Sequence, residues 1–454
     1  MKKRISILLA VVLCLSLFAG CGGTEGTSGS TSAGPQSVKP SENGDEKQVT
    51  ITWWEYPNFE GSETNGGAYE KEIIARFNEK HPNIKVNLEV YPWGDGPEKL
   101  LAAIKTGQAP DVVYDYPGRI TLYARSGKMV QLDDMFTDKF KADVPDTILE
   151  ACAYDGHYYN YPFNTAPFMM CFNKTMLEEM GLLDMLPLGR ENRTWTPDEY
   201  AALMRAIREK DSSVYPAVFY CKNGEGWRST LHLMLNMNNG QFMTQDLNGY
   251  LVDSPEMVSS LEWIAEMLDE GVYPPGAEGY TSNDAIDLFL QGKAASTLIY
   301  SSVLSNTFKE KKVGNFEEVF VPYPTKDAGD PQLEVFLGTF GIFDNGDPDK
   351  IEASKLFVDF LCNDPEMSKE NLVKTGGLSV RKSVTGLYDS EETEFCGKMV
   401  QFAGQYANHA PSGSEASKFF VAAIQAVVGK QKTPADALKE FNELANQAAA
   451  EVGG

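Results

Sequence analysis

Histidine is scarce in this chain of 454 residues: His81, His157, His232 and His409 stand far apart, none at metal-ligand spacing. No Gly-x-Ser-x-Gly elbow occurs, and no phosphate loop ending in Gly-Lys-Ser/Thr. Asp344-Asn345-Gly346-Asp347-Pro348-Asp349 is acidic enough to suggest calcium but lacks the binding loop's spacing and closing Glu. It precedes a helix, where Asp serves as a cap. No metal and no cofactor are therefore expected. Positive charge is also short: 40 Lys+Arg face 64 Asp+Glu, a net charge of −24, which argues against nucleic acid and against docking on anionic lipid. The seven cysteines show no pairing pattern, so a disulfide framework is excluded. Cys152, Cys171, Cys221, Cys362 and Cys396 are expected to be small buried residues or free thiols. Beyond the N-terminus there is no run of apolar residues long enough to span a bilayer.

The N-terminus is where an apolar run does occur. Lys2, Lys3 and Arg4 precede a mostly apolar stretch from Ile5 to Phe18, followed by small residues and Cys21. A charged head, a short apolar run and a small-residue end read as an export signal. The segment resembles a bacterial lipoprotein signal, with Phe18 where Leu is usual. That resemblance implies cleavage after residue 20, a lipid on Cys21 and anchoring to the membrane. An ordinary secretory signal with an incidental cysteine is the alternative. Residues 22–48 are mostly Gly, Ser, Thr and charge, too polar to fold, and read as a flexible tether. Loss of Lys2, Lys3 and Arg4 lowers Lys+Arg from 40 to 37 and takes the net charge from −24 to −27. The body, from about 49 to 450, is long for one domain and suits two.

Along that body strands and helices alternate. Val49–Trp54 is β-rich; Ala68–Lys80 carries Ile73, Ile74 and Phe77 on one helical face; Ile84–Tyr91 alternates as a strand. A short helix over Glu98–Thr106 stops at Gly107 before the compact strand Asp111–Tyr114. Further helices are predicted near 197–210, 228–238, 255–270, 283–291, 349–362, 416–428 and 434–449, and strands near 168–172, 216–220, 294–300, 317–321 and 335–343. The pattern predicts an α/β fold with parallel-rich sheets flanked by helices, and ligands off the strands' C-terminal ends.

Several segments then resemble, in order, the family 1 extracellular solute-binding proteins, the maltose-binding-protein type of ABC-transporter receptor. They are Ile73–Val86 (IIARFNEKHPNIKV), Ile104–Asp115 (IKTGQAPDVVYD), Tyr154–Asn173 (YDGHYYNYPFNTAPFMMCFN), Trp195–Tyr200 after Gly181, Phe289–Thr297 (FLQGKAAST) and Gly376–Ser383 (GGLSVRKS), the last with Ser379 in place of Pro. The resemblance implies a two-lobe fold with a hinge. Crossings would fall near Phe163-Asn164, Pro324-Thr325 and Leu378-Ser379, giving lobes of about 49–163 plus 325–378 and 164–324 plus 379–454. It implies a monomeric, extracytoplasmic receptor that captures a carbohydrate between the lobes and delivers it to the membrane subunits of an ABC importer.

A sugar offers C–H faces that aromatic rings cover and hydroxyls that planar polar groups grip. Segments after strands carry that mixture: Trp54, Glu55 and Tyr56; Asp115 and Tyr116; Asn164; Trp227, led by Gly224-Glu225-Gly226; Tyr300; and Thr339. Each has a structural reading beside it. Trp53 and Trp54 face opposite ways along a strand, so at least one is core. Asp115 can cap the next helix. Trp93 reads as loop or wall, Trp263 as core, Trp195 as a hydrophobic staple, and Arg381 as a hinge ion pair or a ligand contact. A peptide or polyamine would use the same aromatics and acids. A carbohydrate-active enzyme needs only two carboxylates across a sugar.

Overall fold

The computed structural model describes residues 47–94, 96–222, 226–244, 248–403 and 412–453. The export segment, Cys21, nearly all of the tether and Gly224-Glu225 lie outside them. Among the described residues no helix is long and apolar enough to cross a membrane.

Strand β1 (Val49–Glu55) forms because its β-branched and aromatic residues suit a sheet buried on both faces. Trp53 meets Phe357 edge-on, with ring centroids 5.2 Å apart; Trp54 points the other way, 4.6 Å from Tyr91. Gly67, at φ 75°, opens the helix Ala68–Lys80. A side chain there would come within 2.8 Å of Leu88, so glycine is required twice over. Ile73 and Phe77 bury that helix on the sheet, and β2 (Ile84–Val90) returns parallel to β1, Val49 opposite Ile84. The helix Gly96–Thr106 leads to β3 (Val112–Asp115), parallel to β1 on its other side. A hairpin of β4 (Ala153–Tyr154) and β5 (His157–Tyr158) follows, its Asp155-Gly156 turn at positive φ.

The chain changes sheets at one residue. β6 (Tyr161–Pro167) belongs to the first sheet and β7 (Met169–Asn173), just past Phe168, to a second. That second sheet places β7 between β8 (Ser296–Tyr300) and β9 (Glu318–Val321). The chain returns as β10 (Val335–Ile342) between β3 and β6, and β11 (Leu378–Ser379) pairs with β6. The first sheet thus runs β11-β6-β10-β3-β1-β2.

The fold is two-lobed and mixed α/β, one lobe about each of these two sheets. The predicted helices are present as Pro197–Lys210, Arg228–Met237, Pro255–Asp269, Ser282–Leu290, Pro348–Asn363, Gly413–Val428 and Pro434–Gly453. Parallel pairing is confined to β1–β3 among the named strands; β10 and β11 enter the first sheet antiparallel, and β7 pairs antiparallel with β8 and β9. Hydrophobic alternation reports burial, not direction, so strands that leave one sheet and re-enter another escape it. The strand predicted at 216–220 is reduced to parallel bridges of Tyr215 with Ala294 and Val218 with Thr297. Pro216, between them, has no N–H to give a ladder. All five cysteines in the described residues are buried and unpaired.

Candidate functional site

The C-terminal ends of β1 and β3 lie side by side and release two short loops. Tyr56 follows β1, and Tyr116 follows β3 as the residue before the helix Pro117–Arg125. The loop after β2 brings in Trp93. Its ring stacks on Tyr116, centroids 4.9 Å apart at 19°, and lies 4.6 Å from Tyr56. Its indole N–H donates to the Pro57 carbonyl at 3.0 Å, which fixes the ring's tilt. Trp93 and Tyr116 are half-buried, whereas Tyr56 is enclosed. One turn into the helix, Arg119 donates through Nε to Asp115 Oδ1 at 2.7 Å and lays its guanidinium over Tyr116 at 4.7 Å and Trp93 at 5.5 Å. Asp115 is fully buried, and its Oδ1 also accepts the Tyr116 backbone N–H at 2.8 Å. The helix-cap reading of Asp115 does not hold: the N-cap is Tyr116, with no side-chain cap bond, and the Asp115 carboxylate instead holds the loop through the Tyr116 N–H and the arginine through Arg119 Nε.

The opposing wall comes from the second lobe. Trp227 and Arg228 begin the helix Arg228–Met237, whose residues are all buried. Arg228, 7 % exposed, points its guanidinium at the rings of Phe168, 4.5 Å away, and Tyr116, 5.6 Å away. Its Nε donates to Glu334 Oε2 at 3.0 Å, and a second N–H reaches Glu334 Oε1. His232 Nε2 lies 3.2 Å from the same carboxylate. Burial raises the Glu334 carboxyl, but Arg228 and His232 outweigh it and hold the group down at about 2. Glu334 sits on the segment returning between the sheets, and its carbonyl accepts the Phe168 N–H at 2.8 Å. Arg228 thus touches Phe168, where the chain leaves the first sheet, Glu334, where it returns, and the ring of Tyr116.

The remaining predicted residues are buried support. Glu55, at the end of β1, reaches no solvent; burial pushes its carboxyl well above the usual carboxylate range, Glu70 adds to the push and the Trp53 indole opposes it. Asn164 joins a closed network: Tyr114 Oη lies 2.9 Å from Asn58 Oδ1 and 3.0 Å from Asn164 Oδ1, and Asn164 Nδ2 donates to Asn58 Oδ1 at 3.2 Å. Gly338, where β10 shifts register, leaves room for it; a Cβ there would stand 2.0 Å from Tyr114 Oη. Thr339 donates to the Asp115 carbonyl at 2.8 Å. Tyr300 is enclosed in the second lobe, its ring stacked 6.3 Å from Phe320. Trp54 is 9 % exposed and packs on the far face with Tyr91. Trp227 is buried, stacked 6.5 Å from Phe242 beside Arg228.

The structure therefore gathers Tyr56, Asp115 and Tyr116 on one wall, with Trp227 beside Arg228 on the other. Of the predicted residues only Tyr116 reaches an open face; Tyr56, Asp115 and Trp227 are buried, as are Trp54, Glu55, Asn164, Thr339 and Tyr300. Arg119, Glu334 and His232 were missed by sequence reasoning. Only Arg119 left a signal, its i,i+4 spacing from Asp115 across a strand–helix junction. Arg381, read as a hinge ion pair or ligand contact, pairs with Asp143 at 3.0 Å.

A family model described as bacterial extracellular solute-binding protein matches residues 60–367. An uncharacterised ABC transporter extracellular-binding protein of Pyrococcus horikoshii is 23% identical over 462 residues, covering 98% of this chain and 96% of its own. The sn-glycerol-3-phosphate-binding periplasmic protein of Salmonella typhimurium is 25% identical over 352 residues, 73% of this chain and 74% of its own. Among solved structures, a solute-binding protein of Thermotoga lettingae bound with α-D-tagatose superposes with a TM-score of 0.74 at 19% identity, over 88% of this chain and 100% of that one. The acarbose-binding GacH receptor of Streptomyces glaucescens gives 0.74 at 18%, over 89% and 100%. At such identity these structures establish the fold alone.

Proposed function

This chain belongs to the family of bacterial extracellular solute-binding proteins, and from that premise we propose that it captures a carbohydrate between its lobes and hands it, chemically unchanged, to the membrane subunits of an ABC importer. The observation that carries the reading is the stacked Trp93–Tyr116 pair, flanked by Arg119 from its own lobe and faced by Arg228 from the other. Stacked rings match the C–H face of a sugar, and guanidinium groups offer fixed N–H forks to its hydroxyls. The saccharides named with the structural neighbours support the same class of ligand. Tyr56, Asp115, Tyr116 and Trp227 are the predicted residues we assign to the cleft, joined by Trp93, Arg119 and Arg228; Trp54, Glu55, Asn164, Tyr300 and Thr339 support it from behind. The lobes divide at about Phe168, where the chain changes sheets a few residues past the expected Phe163-Asn164, at Pro324-Thr325 between β9 and β10, and at Leu378-Ser379. The receptor is a monomer, outside the cytoplasm and anchored through lipid on Cys21.

Thermal unfolding of residues 24–454 with a panel of mono- and oligosaccharides, peptides and polyamines tests this. A ligand at a hundred times its dissociation constant adds about 2.7 kcal/mol. A shift with a saccharide recovered intact supports the receptor; recovery of cleaved sugar points to an enzyme, and a shift with peptides or polyamines alone removes the sugar.

A further inference from the structure

Two guanidinium groups face the Tyr116 ring, and each already has a carboxylate. Arg119 is held by Asp115, with N–O distances of 2.7 and 2.6 Å, and Arg228 by Glu334 at 3.0 Å. Both carboxylates are almost fully buried, so water screens neither pair strongly. We propose that the cleft selects an uncharged polyhydroxyl ligand, and that Asp115 and Glu334 are specificity-determining residues that turn away phosphorylated and carboxylated sugars. This rests on the carbohydrate reading above and narrows it.

The cationic groups that face the rings are these two guanidiniums, the natural counter-ions for a phosphate or carboxylate on the ligand. At either arginine it would meet a carboxylate already seated on the same group, and two like charges in a desolvated site repel. A neutral hydroxyl adds no charge and can bond beside the pair. Cationic ligands fare no better. The two carboxylates are committed to arginines, and Glu55 is fully buried at the end of β1, out of reach of a polyamine. His232 and Tyr323 complete the surroundings of Glu334, their rings 6.0 Å apart; His232 faces the carboxylate at 3.2 Å and adds to its hold.

The test is calorimetric titration of residues 24–454 with maltotriose, D-tagatose and D-glucose, each set against glucose 6-phosphate, glucuronate and spermidine. The wild type is expected to bind a neutral sugar with a dissociation constant that changes less than about twofold between roughly 0.05 and 0.5 M NaCl, since no net charge is neutralised. In Glu334→Gln the glucose 6-phosphate affinity should rise by about tenfold or more and become salt-sensitive. Asp115→Asn provides the same reading at Arg119 should Glu334→Gln fail to fold. Wild-type protein that binds glucose 6-phosphate or glucuronate at least as tightly as the neutral sugars overturns this inference and leaves the carbohydrate reading standing. Binding of spermidine alone overturns both. The salt dependence of the wild type decides the matter even if neither variant folds: a steep loss of sugar affinity with salt contradicts a charge-matched cleft.

Discussion

The two walls of the proposed cleft are built differently. The first-lobe wall is a pair of half-buried rings, Trp93 and Tyr116, on loops released by parallel strands. The second-lobe wall is the buried start of one helix, tied to the crossing segment through Arg228–Glu334 and through Asn236, which both donates to the Gln332 carbonyl at 2.8 Å and accepts its N–H at 2.7 Å. The first wall is a surface that a ligand can lie on. The second is joined to the segment returning between the sheets, so on the proposed reading a ligand that touches it favours one arrangement of the lobes over another. Only such a differential contact can shift an open–closed equilibrium.

The contrast can be broken by substitution. Glu334→Ala leaves Arg228 buried without its carboxylate and should cost about 3–5 kcal/mol of stability in denaturant unfolding, while Arg228→Met with Glu334→Met should recover much of that loss. Because the folded-state carboxyl lies at about 2 against an ordinary 4.5, its contribution is present above 4.5 and is lost as pH falls toward 2. Acid titration of unfolding should show this component in the wild type and not in Glu334→Gln. Tyr116→Ala acts on the other wall: it should weaken sugar binding by about 2 kcal/mol, roughly 30-fold, with a smaller effect on stability. Gly338→Ala drives a methyl group into Tyr114 and Asn164 and should destabilise by about 1–3 kcal/mol, read from the shift in unfolding midpoint. Thr196→Ala removes the capping box of the helix Pro197–Lys210; about 1 kcal/mol of stability should go and ligand affinity should stay.

The elements were legible where periodicity and punctuation agree. Ala68–Lys80 shows an apolar face and a Pro stop, and Thr196-Pro197 with Glu199 spells a capped start. Strand direction was not legible, because β10 reads as one apolar run whichever way it enters the sheet. In the site, the residues after β1 and β3 were found because strand ends are the place to look. Burial then sorted them: Tyr116 lies at the face, whereas Glu55 and Asn164 lie beneath it. Arg228 and Glu334 are 106 residues apart, and no local pattern pairs them. Trp93 stood between two readings because a tryptophan beside Pro92 and Gly94 looks the same as a surface residue or as a wall.

The account turns on a ligand that touches both walls, and calorimetric titration of two variants tests it most directly. Tyr116→Ala and the charge-free pair Arg228→Met with Glu334→Met, both folded by circular dichroism, are titrated with the neutral saccharide that binds the wild type most tightly. The account predicts that each loses about tenfold or more in affinity. A folded Arg228→Met/Glu334→Met protein that binds the saccharide as the wild type does would contradict it, and would confine the ligand to the first lobe.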